Sequence, residues 1–90
     1  MLTINIKAMK STVLNQNVEH GMFKKYYNGY YQFIMDNGDT LVFEKISLTA
    51  IRKFDLKTNK FKGKSFVIKY SEYQEEEDFI IYKIEKLELA

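Results

Sequence analysis

Lys24-Lys25-Tyr26-Tyr27 and Tyr30-Tyr31 flank one Asn28-Gly29 dipeptide, so two ammonium groups and four phenol rings converge on a single tight turn signal. Rings beside basic groups suit single-stranded nucleic acid, because stacking on a base contributes ~1–3 kcal/mol and lysines neutralise phosphates. Side chains alternate across a strand, and parity sends Tyr31 and Tyr27 toward a core. Tyr26 and Tyr30 are then the expected stackers, with Lys24 and Lys25 beside them. Lys62, Lys64 and Lys69 are further candidate nucleic-acid-binding residues wherever they share that face.

Little else in the chain could do chemistry. His20 is the sole histidine, there is no cysteine, and Ser11, Ser47, Ser65 and Ser71 lie in no nucleophile-elbow sequence. His20 reads as a strand side chain. Asp36-Asn37-Gly38-Asp39 lacks the length and the terminal glutamate of a calcium loop and reads as a hairpin turn. Gly21, Gly29, Gly38 and Gly63 are scattered and form no phosphate-cradling loop. No enzyme, metal or cofactor is expected.

Charge is uneven although the net value is only +2. Arg52, Lys53, Lys57, Lys60, Lys62 and Lys64 are opposed locally by Asp55 alone, whereas Glu72, Glu75, Glu76, Glu77 and Asp78 form an acidic run without a basic residue. Both runs read as solvated loops or as a polarised surface that orients a charged partner. Four adjacent negative charges at 75–78 would repel phosphates and suit a basic protein surface better. No stretch reaches the ~20 apolar residues of a membrane helix, and the first ten residues lack a signal-peptide core, so a cytoplasmic protein is expected.

The elements that must position these groups are mostly β. Val18 to Tyr27, Tyr30 to Met35, Thr40 to Ile46, Lys64 to Tyr73 and Phe79 to Leu89 read as strands, and Leu48 to Phe54 as a short helix capped by Ser47. Its stripe of Leu48, Ile51 and Phe54 should dock on the sheet, with Leu56 and Phe61 close by. Parity places Phe23, Tyr31, Phe33, Met35, Leu41, Phe43, Phe66, Ile68, Tyr70, Ile80, Tyr82 and Ile84 inside. Leu87 and Leu89 fall out of phase with Ile84, so a bulge is expected near Glu85-Lys86, and Gly21 suggests another. Residues 18–90 form one domain. Residues 1–17 are an N-terminal segment in which Leu2, Ile4 and Ile6 alternate like an extra edge strand, with Ser11 to Asn17 as a polar linker.

The order strand, strand, strand, helix, strand, strand, carried by Asn28-Gly29, Asp36 to Asp39, Leu48 to Phe54, Gly63-Lys64-Ser65-Phe66 and Ile80-Ile81-Tyr82, resembles a five-stranded OB-fold barrel. Gly63 to Tyr70, the acidic loop and the closing strand also look like those of small stand-alone OB-like proteins of bacteria and phages. An SH3-like barrel shares much of the pattern. The OB resemblance implies a mainly β barrel that binds single-stranded DNA or RNA on its middle strands and the flanking loops. A different class of function follows from the outward set Ile34, Val42, Val67, Phe79 and Ile81. That apolar set, with the loop bearing Glu75, Glu76, Glu77 and Asp78, suits a protein-interaction module: an adaptor, an inhibitor or a self-associating subunit.

Overall fold

The computed structural model describes residues 12–76 and 79–90. The expected edge strand on Leu2, Ile4 and Ile6 lies outside them. Strand β1 (Thr12–Tyr27) turns at Asn28-Gly29 into β2 (Tyr30–Met35), and β3 (Thr40–Phe43) and β4 (Lys45–Ile46) follow. Helix α1 (Leu48–Lys53) and a 3₁₀ turn (Asn59–Phe61) lead to β5 (Ser65–Glu76) and β6 (Phe79–Leu89). The six strands form one curled, half-barrel sheet in the order β3-β2-β1-β5-β6-β4.

Turn chemistry sets the hairpins. Asn28 and Gly29 both have positive φ, 52° and 89°, as a primed two-residue turn demands. At the second hairpin the Gly38 N–H donates to Met35 O at 2.8 Å and Gly38 takes φ 94°, the geometry of a type I turn closed by a left-handed residue. The sixth strand arises because the run expected as Thr40 to Ile46 breaks at Glu44. Its first part pairs antiparallel with β2, while β4 runs parallel to β6. The Glu44 N–H donates to Tyr82 O at 3.0 Å, so the chain changes partners within one residue.

The concave side closes over an aromatic core. Phe23, Phe33, Phe43 and Phe66 are fully buried, and the Phe33 ring lies 5.2 to 6.0 Å from the other three. Leu56 and Ile68 complete this centre, and Phe61 packs on its rim. Offset and edge-on ring pairs of this kind add ~0.5–1.5 kcal/mol each beyond the area they bury. In a chain without disulfides they take the place of cross-links.

Several expectations are corrected by bulges. The one expected at Glu85-Lys86 is present: Lys69 pairs with Lys86 and Tyr70 with Ile84, leaving Glu85 over, so Leu87 returns to the core while Leu89 stays exposed at the strand end. Gly21 carries none. It pairs regularly with Met35 on one side and Phe66 on the other, and a Cβ there would lie 2.8 Å from Met35 Sδ. Against β2 the bulge of β1 sits instead at Lys24, between Phe23 and Lys25, and against β5 the register shifts again at Leu14, between Val13 and Asn15. Ile80 is half exposed, because β5 and β6 continue together beyond the end of the core.

Helix α1 docks differently from its apolar stripe. Ser47 Oγ accepts from the Ala50 N–H at 3.1 Å and donates to Glu85 O at 2.7 Å, which fixes the helix start against β6. That attachment turns Ala50 and Phe54 inward, holds Ile51 half-buried and leaves Leu48 exposed. Residues 12–17, expected as linker, extend β1, and Glu72 and Glu75 lie on β5, not in a loop. The result is a three-stranded arm, and the molecule measures 48 × 27 × 22 Å. No helix among the described residues is long and apolar enough to cross a membrane.

Candidate functional site

The Lys24 bulge decides what the first hairpin shows to solvent. With an extra residue between Phe23 and Lys25, the outward row of β1 changes from even to odd positions: Met22 pairs with Ile34, then Lys25 with Gln32 and Tyr27 with Tyr30. Tyr27, expected inside, is 63% exposed and faces Tyr30, itself 39% exposed. Tyr26, expected as a stacker, turns inward, half-buried, with its ring centroid 4.9 Å from that of Tyr31. A sequence signal existed. Two consecutive lysines inside a strand cannot alternate in and out of an apolar core, so one of them had to be the extra residue.

Lys25 Nζ stands beside the exposed pair, 5.2 Å from the centroid of the Tyr27 ring, and Lys57 Nζ stands 5.5 Å from the centroid of Tyr26 on the inward-facing side of the hairpin, both within cation–π range. The 3₁₀ turn and Gly63 bring more lysines. The Gly63 N–H donates to Phe23 O and the Phe23 N–H to Lys64 O, each at 2.9 Å, so the backbone carrying Lys62 and Lys64 runs beside that of Phe23 and Lys24. Lys60 covers the ring of Phe61 at 5.6 Å. Lys57 and Lys60 stand in the basic run of the sequence but are not among its candidate binding residues, because the crossover that folds them against the hairpin leaves no periodic trace.

None of Lys24, Lys25, Lys57, Lys60, Lys62 and Lys64 forms an ion pair among the described residues; the pairs there are Lys45–Glu75, Lys53–Glu88 and Lys83–Glu85. Lys69 is not part of this group. It lies five residues further along β5 than Lys64, about 17 Å at strand rise. Burial and the nearby Tyr26 and Asp55 raise the pKa of the Tyr31 hydroxyl, keeping it neutral beneath the site.

The second candidate surface is dispersed. Val42 and Phe79 are exposed, Ile34 and Val67 are half-buried, and Ile81 is 3% exposed. Ile81 does face away from the aromatic core, as parity expects, but Tyr73, Lys45 and Lys83 surround it there. Glu75 binds Lys45 Nζ at 3.1 Å, while Glu77, Asp78 and the Glu76 side chain lie outside the described atoms. Tyr70 and Tyr73 hold their hydroxyls toward carboxylates at the base of the arm, Glu19 at 2.7 Å and Glu85 at 3.0 Å. Burial first, and then those acceptors, push both tyrosine pKa values up.

His20 is exposed on the outer side of β1. Among the described residues no three His, Cys, Asp or Glu side chains come together in a group that could hold a metal ion. The hairpin sets two exposed phenol rings beside ammonium groups. No known protein family, curated protein or solved structure matches this chain.

Proposed function

We propose that this chain is a non-enzymatic, OB-like module that binds single-stranded nucleic acid across the outer face of β1, β2 and β3. The connectivity supports the OB-like reading: β1 lies between β2 and β5, and β3 with β4 reads as one kinked strand whose second part runs parallel to β6. The observation that carries the binding reading is the exposed cross-strand pair Tyr27 and Tyr30, set beside Lys25 and a cluster of lysines free of ion pairs among the described residues. Two rings on one face can each take a base, and Lys24, Lys25, Lys62 and Lys64 can follow the phosphates between them. The acidic arm keeps the strand at the other end of the molecule.

Fluorescence anisotropy with labelled 12-residue DNA and RNA oligonucleotides tests this. Binding should weaken steeply with salt, and Tyr27→Ala and Tyr30→Ala should each cost ~1–3 kcal/mol, about 5- to 150-fold in Kd. Absence of binding at low salt, or unchanged affinity in the double variant, removes the reading.

A second reading, a protein-interaction module, is supported by the end of the arm. Val13, Leu14, Phe79 and Ile80 are each 42 to 49% exposed there. If this patch is a contact, Phe79→Ala combined with Ile80→Ala should shift the sedimentation of a self-associating wild type toward monomer. A monomeric wild type that recovers no partner through these residues counts against it.

A further inference from the structure

Lys69 and Lys86 stand directly opposite one another in the β5–β6 ladder. Like charges in such a pair repel at close range, and a sheet ordinarily avoids the arrangement. The neighbouring lysines are each balanced: Lys45 by Glu75, Lys83 by Glu85 and Lys53 by Glu88. Lys69 and Lys86 have no ion pair among the described residues. They share a concavity of about 320 Å³ with Gln16, Ser47, Thr49 and Glu85. An adjoining hollow of about 230 Å³ shares Thr49 and Lys86.

The remaining groups of the lining decide the ligand. Ser47 Oγ is committed to Ala50 and Glu85 backbone atoms, and the Glu85 carboxylate accepts from Tyr73 Oη at 3.0 Å with Lys83 Nζ at 3.9 Å. That leaves two ammonium groups, the Gln16 amide and the Thr49 hydroxyl as donors open among the described residues. Lys83, which lies outside the lining, offsets Glu85, so the two ammonium groups of Lys69 and Lys86 are the charges left unbalanced in the hollow among the described residues. A compact dianion with several acceptor oxygens meets both the charge and the donor set.

We propose that this groove is an oxyanion site for a phosphate dianion, either inorganic phosphate or the terminal group of a phosphate monoester. It is separate from the hairpin surface and does not rest on the nucleic-acid reading. The phosphate would sit between the two ammonium groups and convert their repulsion into a bridge.

The test is titration of the full chain with inorganic phosphate at constant ionic strength, following lysine ammonium and backbone amide resonances, with chloride as control. Saturable shifts confined to Lys69, Lys86, Thr49 and Gln16 are expected, together with a rise in Tm that chloride does not reproduce. Lys69→Gln and Lys86→Gln should each weaken phosphate binding at least tenfold, while Lys45→Gln, a lysine held by Glu75 outside the groove, should not. Both lysines are exposed, so the variants should fold, and without phosphate Lys86→Gln should melt no lower than wild type. A phenyl phosphate arm should bind like phosphate, and a dinucleotide phosphodiester, carrying one charge, should bind more weakly. Shifts that never saturate, equal shifts with chloride, an unaffected Lys86→Gln variant or equal affinity for the diester would each overturn the proposal.

Discussion

The first hairpin and the three-stranded arm belong to one sheet, but they spend their side chains differently. At the hairpin end the sheet curls around Phe23, Phe33, Phe43 and Phe66, so packing on one side supplies the stability and the other side can leave Tyr27 and Tyr30 in water. In the arm, β1, β5 and β6 run past the core. Stability there comes from the strand ladders and from polar pairs such as Asn17–Glu72, Tyr70–Glu19 and Tyr73–Glu85, while Val13, Phe79 and Ile80 stay exposed. Charge divides in the same way: lysines without an ion pair among the described residues surround the hairpin, and carboxylates engaged with lysine, tyrosine or asparagine line the arm. A region with a core behind it can display a binding surface, whereas a region without one must use its polar groups to hold itself together.

The sharpest way to break that contrast is to truncate one ring at each end. Phe33→Ala should cost ~3–5 kcal/mol, enough to unfold much of the population of a small domain, whereas Phe79→Ala should change stability by less than about 0.5 kcal/mol. Urea denaturation followed by far-ultraviolet dichroism measures both. Equal losses would mean that the arm hides a core of its own.

A smaller effect is expected where the two regions join. At Gly21, β1 is paired on both sides, and an added methyl group would meet Met35 Sδ and press on Ile34 O and Ile68 Cδ1. Gly21→Val should destabilise by ~1–3 kcal/mol, and Met35→Ala in the same chain should recover part of the loss by making room. Additive losses in the double variant would show that contact with Met35 is not the cause.

The smallest effect is a dependence on pH. The raised pKa values of Tyr31, Tyr70 and Tyr73 mean that above the ordinary tyrosine value of 10.0 the folded chain holds protons that the unfolded chain has released. Their contribution is therefore fully present below pH 10 and is lost as pH rises beyond it. Unfolding free energies measured from pH 7 to 11 should be flat and then fall, and Tyr70→Phe with Tyr73→Phe should make the fall shallower. An unchanged slope in that variant would locate the alkaline sensitivity at the hairpin end, in Tyr31.

Local signals made much of the strand layout legible. Asn28-Gly29 and Asp36 to Asp39 fold as read, since their backbone angles depend on the residues themselves, and the phase slip between Ile84 and Leu87 revealed a bulge because both residues are apolar and both are buried. The matching bulge at Lys24 was missed because its evidence is two charges, not two core residues, and with it went the faces of Tyr26 and Tyr27. The helix shows the same limit. Spacing selected Leu48, Ile51 and Phe54, but the bond from Ser47 to Glu85 rotates Leu48 away and brings Ala50 in.

By itself the sequence determined the turns, the β character, the aromatic core and the separation of basic from acidic stretches, because each follows from residue type and near-neighbour spacing. Tertiary structure alone decided which face each tyrosine shows, where β1 and β5 outrun the core, and how Lys57, Lys62 and Lys64 come to the hairpin while Lys69 meets Lys86. Those outcomes depend on register, and register is a property of two strands at once. A single extra residue reverses every side chain beyond it until the next bulge.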